Sequence, residues 1–394
     1  MRRPLTSRRM EAVRDAKSAF WHFLVDSDHL RRRHQPGVID MSLGDPHELP
    51  PKGFVEALKT WAEPQSVDWF AYKVSQPEAR AAVARSLSKW RGLPFEPEDI
   101  AMTTGAFGAI AAALSATLDP GDEVIMNLPP WFNYEAMIVN VGAKPVKVKV
   151  REEDFDLDLA AIEAAITPKT RMVIVNTPNN PTGRVYPPAT LEALAEILTV
   201  ASKRNGRVIY QLSDEPYSRL VFDGKSFPSP SAYYPNTMIT YSYGKVLLTP
   251  GQRIGFLALP PTMPERAPLR ESIMLAQIAG GFLFPNALMQ HAIEDLDKLS
   301  IDLPRLHEKR DRLVAGLRAA GYELHVPEGT FYLLPKSPLA DDEAFCEQLA
   351  ARGLLVLPGR ICDCPGRFRV TFTASMEMID KALPIFAEVM AANQ

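Results

Sequence analysis

The sequence predicts an α/β fold: a mostly parallel, seven-stranded sheet covered by helices in a large domain, followed by a smaller α+β domain. Three observations carry that prediction. At 394 residues the chain is long enough for two or three domains of roughly 150 residues. From about residue 97 short β-branched runs alternate with alanine- and leucine-rich stretches of helical length, the pattern of parallel strands joined by helices. After residue 285 the alternation gives way to a long charged helix, further strands and two more helices, the rhythm of an α+β unit.

Taken in order, the predicted strands are Ile100–Thr103, Glu123–Met126, Pro145–Val150, Met172–Asn176, Arg207–Leu212, Met238–Tyr241 and Ile254–Leu259. Between them fall helices at Ala106–Leu118, Asn133–Val139, Leu159–Ile166 and Pro188–Lys203, and an open sheet is favoured over a closed barrel. The later unit reads as a helix over Leu303–Ala320, strands near Tyr322–His325, Gly329–Leu334 and Phe368–Thr373, and helices at Asp341–Arg352 and Ser375–Ala391. The 35 prolines are scattered between periodic segments, so they punctuate loops and do not mark disorder.

Composition removes several function classes. With 44 basic and 47 acidic side chains the formal charge is −3, which suggests neither nucleic acid nor an anionic membrane as partner. The longest apolar stretch, Ala106–Leu118, already contains Ser115 and Thr117, and it falls short of the ~18 to 20 residues that cross a bilayer. Arg2, Arg3, Arg8 and Arg9 precede an apolar run, Ala19–Val25, that contains His22 and lacks a small-residue cleavage site. This reads as the N-terminal helix of a cytoplasmic protein, not a signal peptide. The arginine runs Arg2–Arg9 and Arg31–Arg33 read as solvated faces or dimer contacts. Cys346, Cys362 and Cys364 are too few for a disulfide framework, and a Cys-x-Cys pair without a nearby histidine is poor metal spacing. Reduced thiols and no metal are expected.

Several familiar motifs fail on inspection. Gly224-Lys225-Ser226 ends like a phosphate-binding P-loop, but Arg219 stands where that motif needs glycine. Ser242 precedes Tyr243-Gly244 as in a hydrolase nucleophile elbow, but Thr240 replaces the first glycine. Gly105 and Gly108 do not complete a dinucleotide-binding fingerprint.

What remains is a set of polar residues just past the ends of predicted strands, where open α/β sheets bind ligands. Thr104-Gly105-Ala106-Phe107, Trp131, Asn180, Asp214 with Tyr217, and Lys245 would all reach one edge. Their types suit a phosphorylated aromatic cation. Gly105 opens a helix whose N–H groups face an anion, and Ser242 and Arg253 flank Lys245 with further phosphate donors. Asp214 would stabilise a protonated ring nitrogen, Tyr217 and Asn180 would hydrogen-bond a ring oxygen, and Trp131 would stack on the ring. Lys245 would form an imine with an aldehyde. Taken singly, each has a plainer reading: Lys245 and Arg369 as surface residues, Asp214 as a helix N-cap, Trp131 and Phe331 as core.

At these residues the chain resembles the fold-type I pyridoxal-phosphate enzymes, specifically the class I/II aminotransferases of the aspartate aminotransferase superfamily. Asn179-Asn180-Pro181-Thr182-Gly183 is similar to that family's Asn-Pro-x-Gly signature, and Ser213-Asp214-Glu215-Pro216-Tyr217 to its Asp-x-x-Tyr segment. Ser242-Tyr243-Gly244-Lys245 with Pro250-Gly251-Gln252-Arg253-Ile254-Gly255 resembles its cofactor-lysine block. The likeness runs from Leu43-Gly44-Asp45-Pro46 to Arg367-Phe368-Arg369-Val370-Thr371.

The resemblance implies pyridoxal 5'-phosphate as cofactor, with Lys245 as the internal aldimine lysine and proton shuttle. It further implies Asp214 on the pyridine nitrogen, Tyr217 and Asn180 on the ring hydroxyl, and Trp131 over the ring. The phosphate would lie on Gly105, Ala106, Phe107, Ser242 and Arg253, and Arg369 would clamp the substrate α-carboxylate with help from the Gly44 backbone. It implies a homodimer, with Phe70 or Tyr72 near the partner's cofactor phosphate in place of the family's tyrosine, and Ser75 standing for a usual glycine. The implied domains are 51–290 for the cofactor and 291–394 for the small domain, with 1–50 contributing to the latter.

Gly244 replaces a common serine, and the segment Ala276–Asn286 shows no arginine that would read a second carboxylate, which puts aspartate in doubt as substrate. The expected activity is transfer of an amino group from an α-amino acid to a 2-oxo acid. The alternatives are a β/γ-lyase, decarboxylase or oxidase on the same cofactor, or a non-enzymatic regulator, for which the residues before Gly44 are too few to build a DNA-binding domain.

Overall fold

The structure, a computed structural model, describes residues 5–25, 27 and 31–393. Arg2 and Arg3 of the first arginine run lie outside the described residues. The strands are β1 (Ile39–Asp40), β2 (Ile100–Thr103), β3 (Glu123–Leu128), β4 (Lys144–Lys149), β5 (Thr170–Asn176), β6 (Tyr210–Asp214), β7 (Thr237–Ser242), β8 (Gly255–Ala258), β9 (Tyr332–Leu333), β10 (Leu354–Leu355), β11 (Leu357–Pro358) and β12 (Phe368–Thr371). The large sheet has seven strands in the order β2-β8-β7-β6-β5-β3-β4. Only β8 runs against its neighbours β2 and β7; the other pairings are parallel.

Both faces of this sheet are covered, as the near-continuous apolar strands require. In β5 the side chains alternate: Met172 and Ile174 pack with Leu212, Met238 and the Ala106–Thr117 helix, while Val173 and Val175 pack with Leu191, Leu194 and Leu198 on the opposite face. The Ala106–Thr117 helix is apolar all round because it is sandwiched between the sheet and the Arg266–Gly280 helix. All of these strand residues are at most 2% exposed, so truncating one such as Ile174 to alanine is expected to cost about 2 to 5 kcal/mol.

The remaining strands are short. β1 pairs in parallel with β10, tying the beginning of the chain to its end, and β11-β12-β9 form an antiparallel trio. The helices Leu303–Ala319, Asp342–Ala350 and Met376–Ala391 enclose Leu313, Leu317, Phe345, Phe368 and Phe386.

Three departures from the sequence expectation have local causes. The strand expected from Arg207 begins at Tyr210, because Arg207 and Ile209 finish the preceding helix: their N–H groups donate to the Ser202 carbonyl and hydroxyl at 3.3 and 2.9 Å. Tyr322–His325 forms no strand. Its Tyr322 ring sits among Phe345, Phe368 and Phe386 and donates to the Phe386 carbonyl at 3.0 Å, so the segment is held by side-chain packing. The strand expected over Gly329–Leu334 shrinks to Tyr332–Leu333 because Thr330 adopts φ +69°, which extended pairing does not tolerate. Helices Phe54–Ala62 and Pro77–Arg91 and two-residue strands such as β1 were not anticipated.

Candidate active site

The carboxyl ends of β2, β3, β5, β6 and β7 share one edge of the sheet, and each leads directly into a residue singled out by the sequence. β8 runs the other way, so its beginning lies at that edge, and it delivers Arg253 there. Together they wall a cavity of about 730 Å³, to which Gly44, Ala106, Phe107, Trp131, Asn180, Asp214, Tyr217, Ser242, Lys245, Arg253 and Arg369 all contribute. Phe70 and Tyr72 do not: they are 53% and 87% exposed on the outer surface.

One end of the cavity is built for an anion. The Ala106–Thr117 helix starts at Gly105 with no side-chain cap, which leaves its first N–H groups for a ligand. Gly105 has φ +80°, and a Cβ there would stand 2.8 Å from Arg253 Nη2 and 3.2 Å from Ser242 Oγ, so these donors converge on the helix start. Gly255 lies between Thr103 and Ser242 in the ladder, and any side chain on it would strike the Tyr241 carbonyl at 2.2 Å and Gly105 Cα at 2.8 Å. Arg253 donates only to the Pro250 carbonyl, at 2.7 Å, and pairs with no carboxylate among the described residues. Burial without an anion lowers its pKa below the usual guanidinium value.

At the centre Asp214 closes β6 and is 4% exposed. It is the last residue of the strand, not a helix cap. It stands opposite Thr240 in the register, and the Thr240 hydroxyl donates to it at 2.9 Å. The Tyr134 hydroxyl donates to its other oxygen, and Asn176 Nδ2 reaches the same oxygen at 3.4 Å and the Asp214 carbonyl at 2.9 Å. Burial pushes the Asp214 carboxyl up to about 6, against the hydrogen bonds from Tyr134 and Thr240 that favour the charged form. No cationic side chain lies within ion-pair distance of it among the described residues. Lys245, in the short Tyr243–Val246 helix after β7, sits with its ammonium 5.8 and 5.6 Å from the Tyr217 and Phe331 rings. The Tyr217 hydroxyl is raised well above its ordinary value by burial, with the neighbouring Tyr332 adding to the shift.

The other end is built around Arg369 in β12. This side chain is 2% exposed and pairs with no carboxylate among the described residues. Its Nη1 donates to Asn180 Oδ1 at 3.0 Å, its Nη2 to the Ser42 carbonyl at 2.9 Å, and its Nε has no partner. The guanidinium lies 4.3 Å from the Tyr332 ring centroid. Gly44 is needed beside it, since a Cβ there would meet the Tyr332 hydroxyl at 2.1 Å. A buried cation with an unused donor on a cavity wall is a receptor for an anion.

Tyr134, Thr240, Asn176, Tyr332, Phe132, Phe20 and Leu43 also belong to this site and were missed. Asn176 closes a predicted strand and so obeyed the strand-end rule that found the others. Tyr134 sits on a helix and carries no such signal. Phe20 comes from the Ser18–Val25 helix and stacks on Phe132 with centroids 4.3 Å apart. The segment Ala276–Asn286 supplies no residue to this cavity.

Residues 36–385 match the family model described as aminotransferase class I and II. The aspartate/prephenate aminotransferase of Thermus thermophilus is 32% identical over 397 residues, covering 98% of this chain and 98% of that protein. The aspartate/prephenate aminotransferase of Cereibacter sphaeroides is 30% identical, covering 88% and 89%. Among solved structures, an amino transferase from Eubacterium rectale is similar with a TM-score of 0.87 at 31% identity, covering 99% of this chain and 96% of the other. The Thermus thermophilus aspartate aminotransferase with maleate is similar with a TM-score of 0.82 at 29% identity, covering 98% and 100%.

Proposed function

The chain belongs to the class I and II aminotransferases and is a pyridoxal-phosphate-dependent aminotransferase; we propose that its site works through Lys245, Asp214 and Arg369, each at one end or the centre of the cavity. The observation that carries this reading is the charge pattern. Among the described residues, a buried carboxylate paired with no cation, Asp214, faces the same cavity as three cations paired with no carboxylate: Lys245, Arg253 and Arg369. Such charges are costly unless a ligand completes them. A ligand with a phosphate, a protonated ring nitrogen, an aldehyde and, from the substrate, a carboxylate would complete all four.

The residues present fit pyridoxal phosphate. Gly105, Ala106, Phe107, Ser242 and Arg253 would hold its phosphate, Asp214 its ring nitrogen, Asn180 and Tyr217 its ring oxygen, and Trp131 one face. When bound, this cofactor supplies an electron sink that makes the α-proton of an attached amino acid acidic. Tyr134 and Thr240 hold the Asp214 carboxylate in place and favour its charged form. Lys245, once its amine is free, takes the proton from the substrate Cα and returns one during the reverse half-reaction. Arg369 holds the α-carboxylate and so fixes which face of Cα meets that amine. Asn180 ties the two ends together, since its side chain accepts from Arg369 while its N–H donates to Asn176 at 2.7 Å. Over the full cycle the donor loses its amino group and two electrons and becomes a 2-oxo acid, and a second 2-oxo acid gains both.

The same proposal includes a homodimer and a two-domain chain. An exposed apolar surface, with Tyr72 and Phe284 rings 5.0 Å apart and Met274, Leu275 and Ile278 on one helix, supports a second copy there. The pairing of β1 with β10 supports joining residues 1–50 to 291–394, apart from 51–290. A cytoplasmic setting agrees with three unpaired cysteines. No helix of the described residues is long and apolar enough to cross a membrane. Incubating the holoenzyme with amino acids, with and without a 2-oxo acid acceptor, tests the reaction. Sustained oxo-acid formation that needs the acceptor is expected; ammonia release without one would refute transfer.

A further inference from the structure

We infer that the donor side chain read by this site is apolar, with an aromatic or large aliphatic group favoured over a carboxylate; the inference rests on the placement of Lys245, Arg253 and Arg369 given above. The argument begins with a charge count. Among the described residues lining the cavity the cations are Lys245, Arg253 and Arg369, and the anions are Asp45 and Asp214. In the proposed reading Arg253 is taken by the phosphate, Lys245 by the cofactor aldehyde and the α-proton, and Arg369 by the α-carboxylate. Among the described residues lining the cavity no cation remains for a second carboxylate, and the nearby Arg33 is already paired with Asp45 at 2.9 Å and Asp40 at 3.4 Å.

The next candidate is Lys17, and it is already engaged. Its ammonium donates to the Phe132 carbonyl and to Asn133 Oδ1, both at 2.7 Å, and lies 4.1 and 4.8 Å from the Phe20 and Phe132 ring centroids. It lines an adjoining cavity and not the one that holds Lys245. Its role here is to pin the Phe20–Phe132 stack.

That stack is where a substrate side chain would arrive. The Phe132 ring centroid is 5.7 Å from the Arg369 guanidinium carbon, within a side chain's reach of any carboxylate held there. Around it the wall is made by Phe20 and Leu43, and the edge shared with the proposed cofactor face by Trp131, whose ring centroid is 6.4 Å from that of Phe132. A wall of this kind rewards apolar area and leaves a carboxylate without partners, which is strongly unfavourable in a desolvated site. The relatives named for aspartate therefore do not carry their substrate over to this chain by family membership alone.

The test is a single-turnover comparison of the holoenzyme with L-phenylalanine, L-leucine, L-alanine and L-aspartate, reading oxo acid formed per site. This removes the acceptor from the measurement. Phenylalanine and leucine are expected to exceed aspartate in rate per unit concentration by at least ~100-fold. Phe20→Ala is expected to lower the phenylalanine rate at least ~10-fold more than the alanine rate, a split that a general loss of folding would not produce. Aspartate reacting as fast as phenylalanine, or faster, would overturn the inference and leave the aminotransferase reading standing. Oxo acid from none of the donors would overturn both.

Discussion

The two ends of the active-site cavity are made in different ways. The end proposed for the cofactor is assembled from one sheet: Asp214 and Ser242 close strands that the ladder holds in register, Gly105, Asn180 and Lys245 follow strand ends, and Arg253 precedes the one reversed strand. The end proposed for the substrate draws on Phe20 near the beginning of the chain, Leu43 and Gly44 after β1, Phe132 after β3, and Tyr332 and Arg369 near the end. The first end is polar and held by short hydrogen-bonded links; the second is mostly aromatic, with one buried guanidinium. On the proposed reading, the difference teaches that chemistry and choice are separable here. Changes at the sheet edge should abolish reaction with every donor, whereas changes at the far end should rescale donors or reorder them.

The strongest test of that separation is Lys245→Ala. It should leave a folded protein whose turnover falls by ~10⁴-fold with every donor, since it removes the group proposed to move the Cα proton. Borohydride should no longer fix the cofactor to the chain, as read by intact mass. Residual turnover that differs sharply between donors would break the comparison.

Asp214→Ala should follow, with turnover down ~10²- to 10³-fold and cofactor partly retained by the phosphate donors. Near-normal turnover would show that another group serves the ring nitrogen. Arg369→Lys replaces a two-pronged donor with a point charge and should lower kcat/KM by ~10- to 100-fold by a similar factor for all donors. Reordering of donors in that variant would mean that Arg369 reads a side chain, and the two ends would need redrawing. Tyr134→Phe removes a donor to Asp214 and is expected to slow every donor by roughly 10-fold, with KM values little changed.

The smallest effect concerns pH in the cofactor-free protein. The Asp214 carboxyl is raised from 3.8 to about 6 by burial, so the folded chain holds the extra proton between those values. Its stabilising effect is fully present below the lower value and is lost as pH rises through about 6. Urea midpoints between pH 4.5 and 7, compared with those of Asp214→Asn, should show this slope in the wild type and its loss in the variant. An equal slope in both would assign it to other groups.

What the sequence determined by itself was the part of the molecule written in short-range pattern. Strand and helix periods placed the sheet, and residues such as Asn180, Asp214 and Lys245 announced themselves because each closes a strand or follows one within a few residues. Two-residue strands such as β1 and β10 hold too few residues to show a period, and Thr330 broke a strand through a backbone angle that composition does not advertise. Tertiary structure alone decided which distant side chains meet. Tyr134 reaches Asp214 across 80 positions, Arg369 reaches Asn180 across 189, and Phe20 closes over Phe132. The physical reason is that periodicity records which face of an element is buried, while a contact between elements is set by how those faces pack. The groups proposed for the chemistry could be read along the chain, but the aromatic wall that would choose the substrate exists only once Phe20 folds over Phe132.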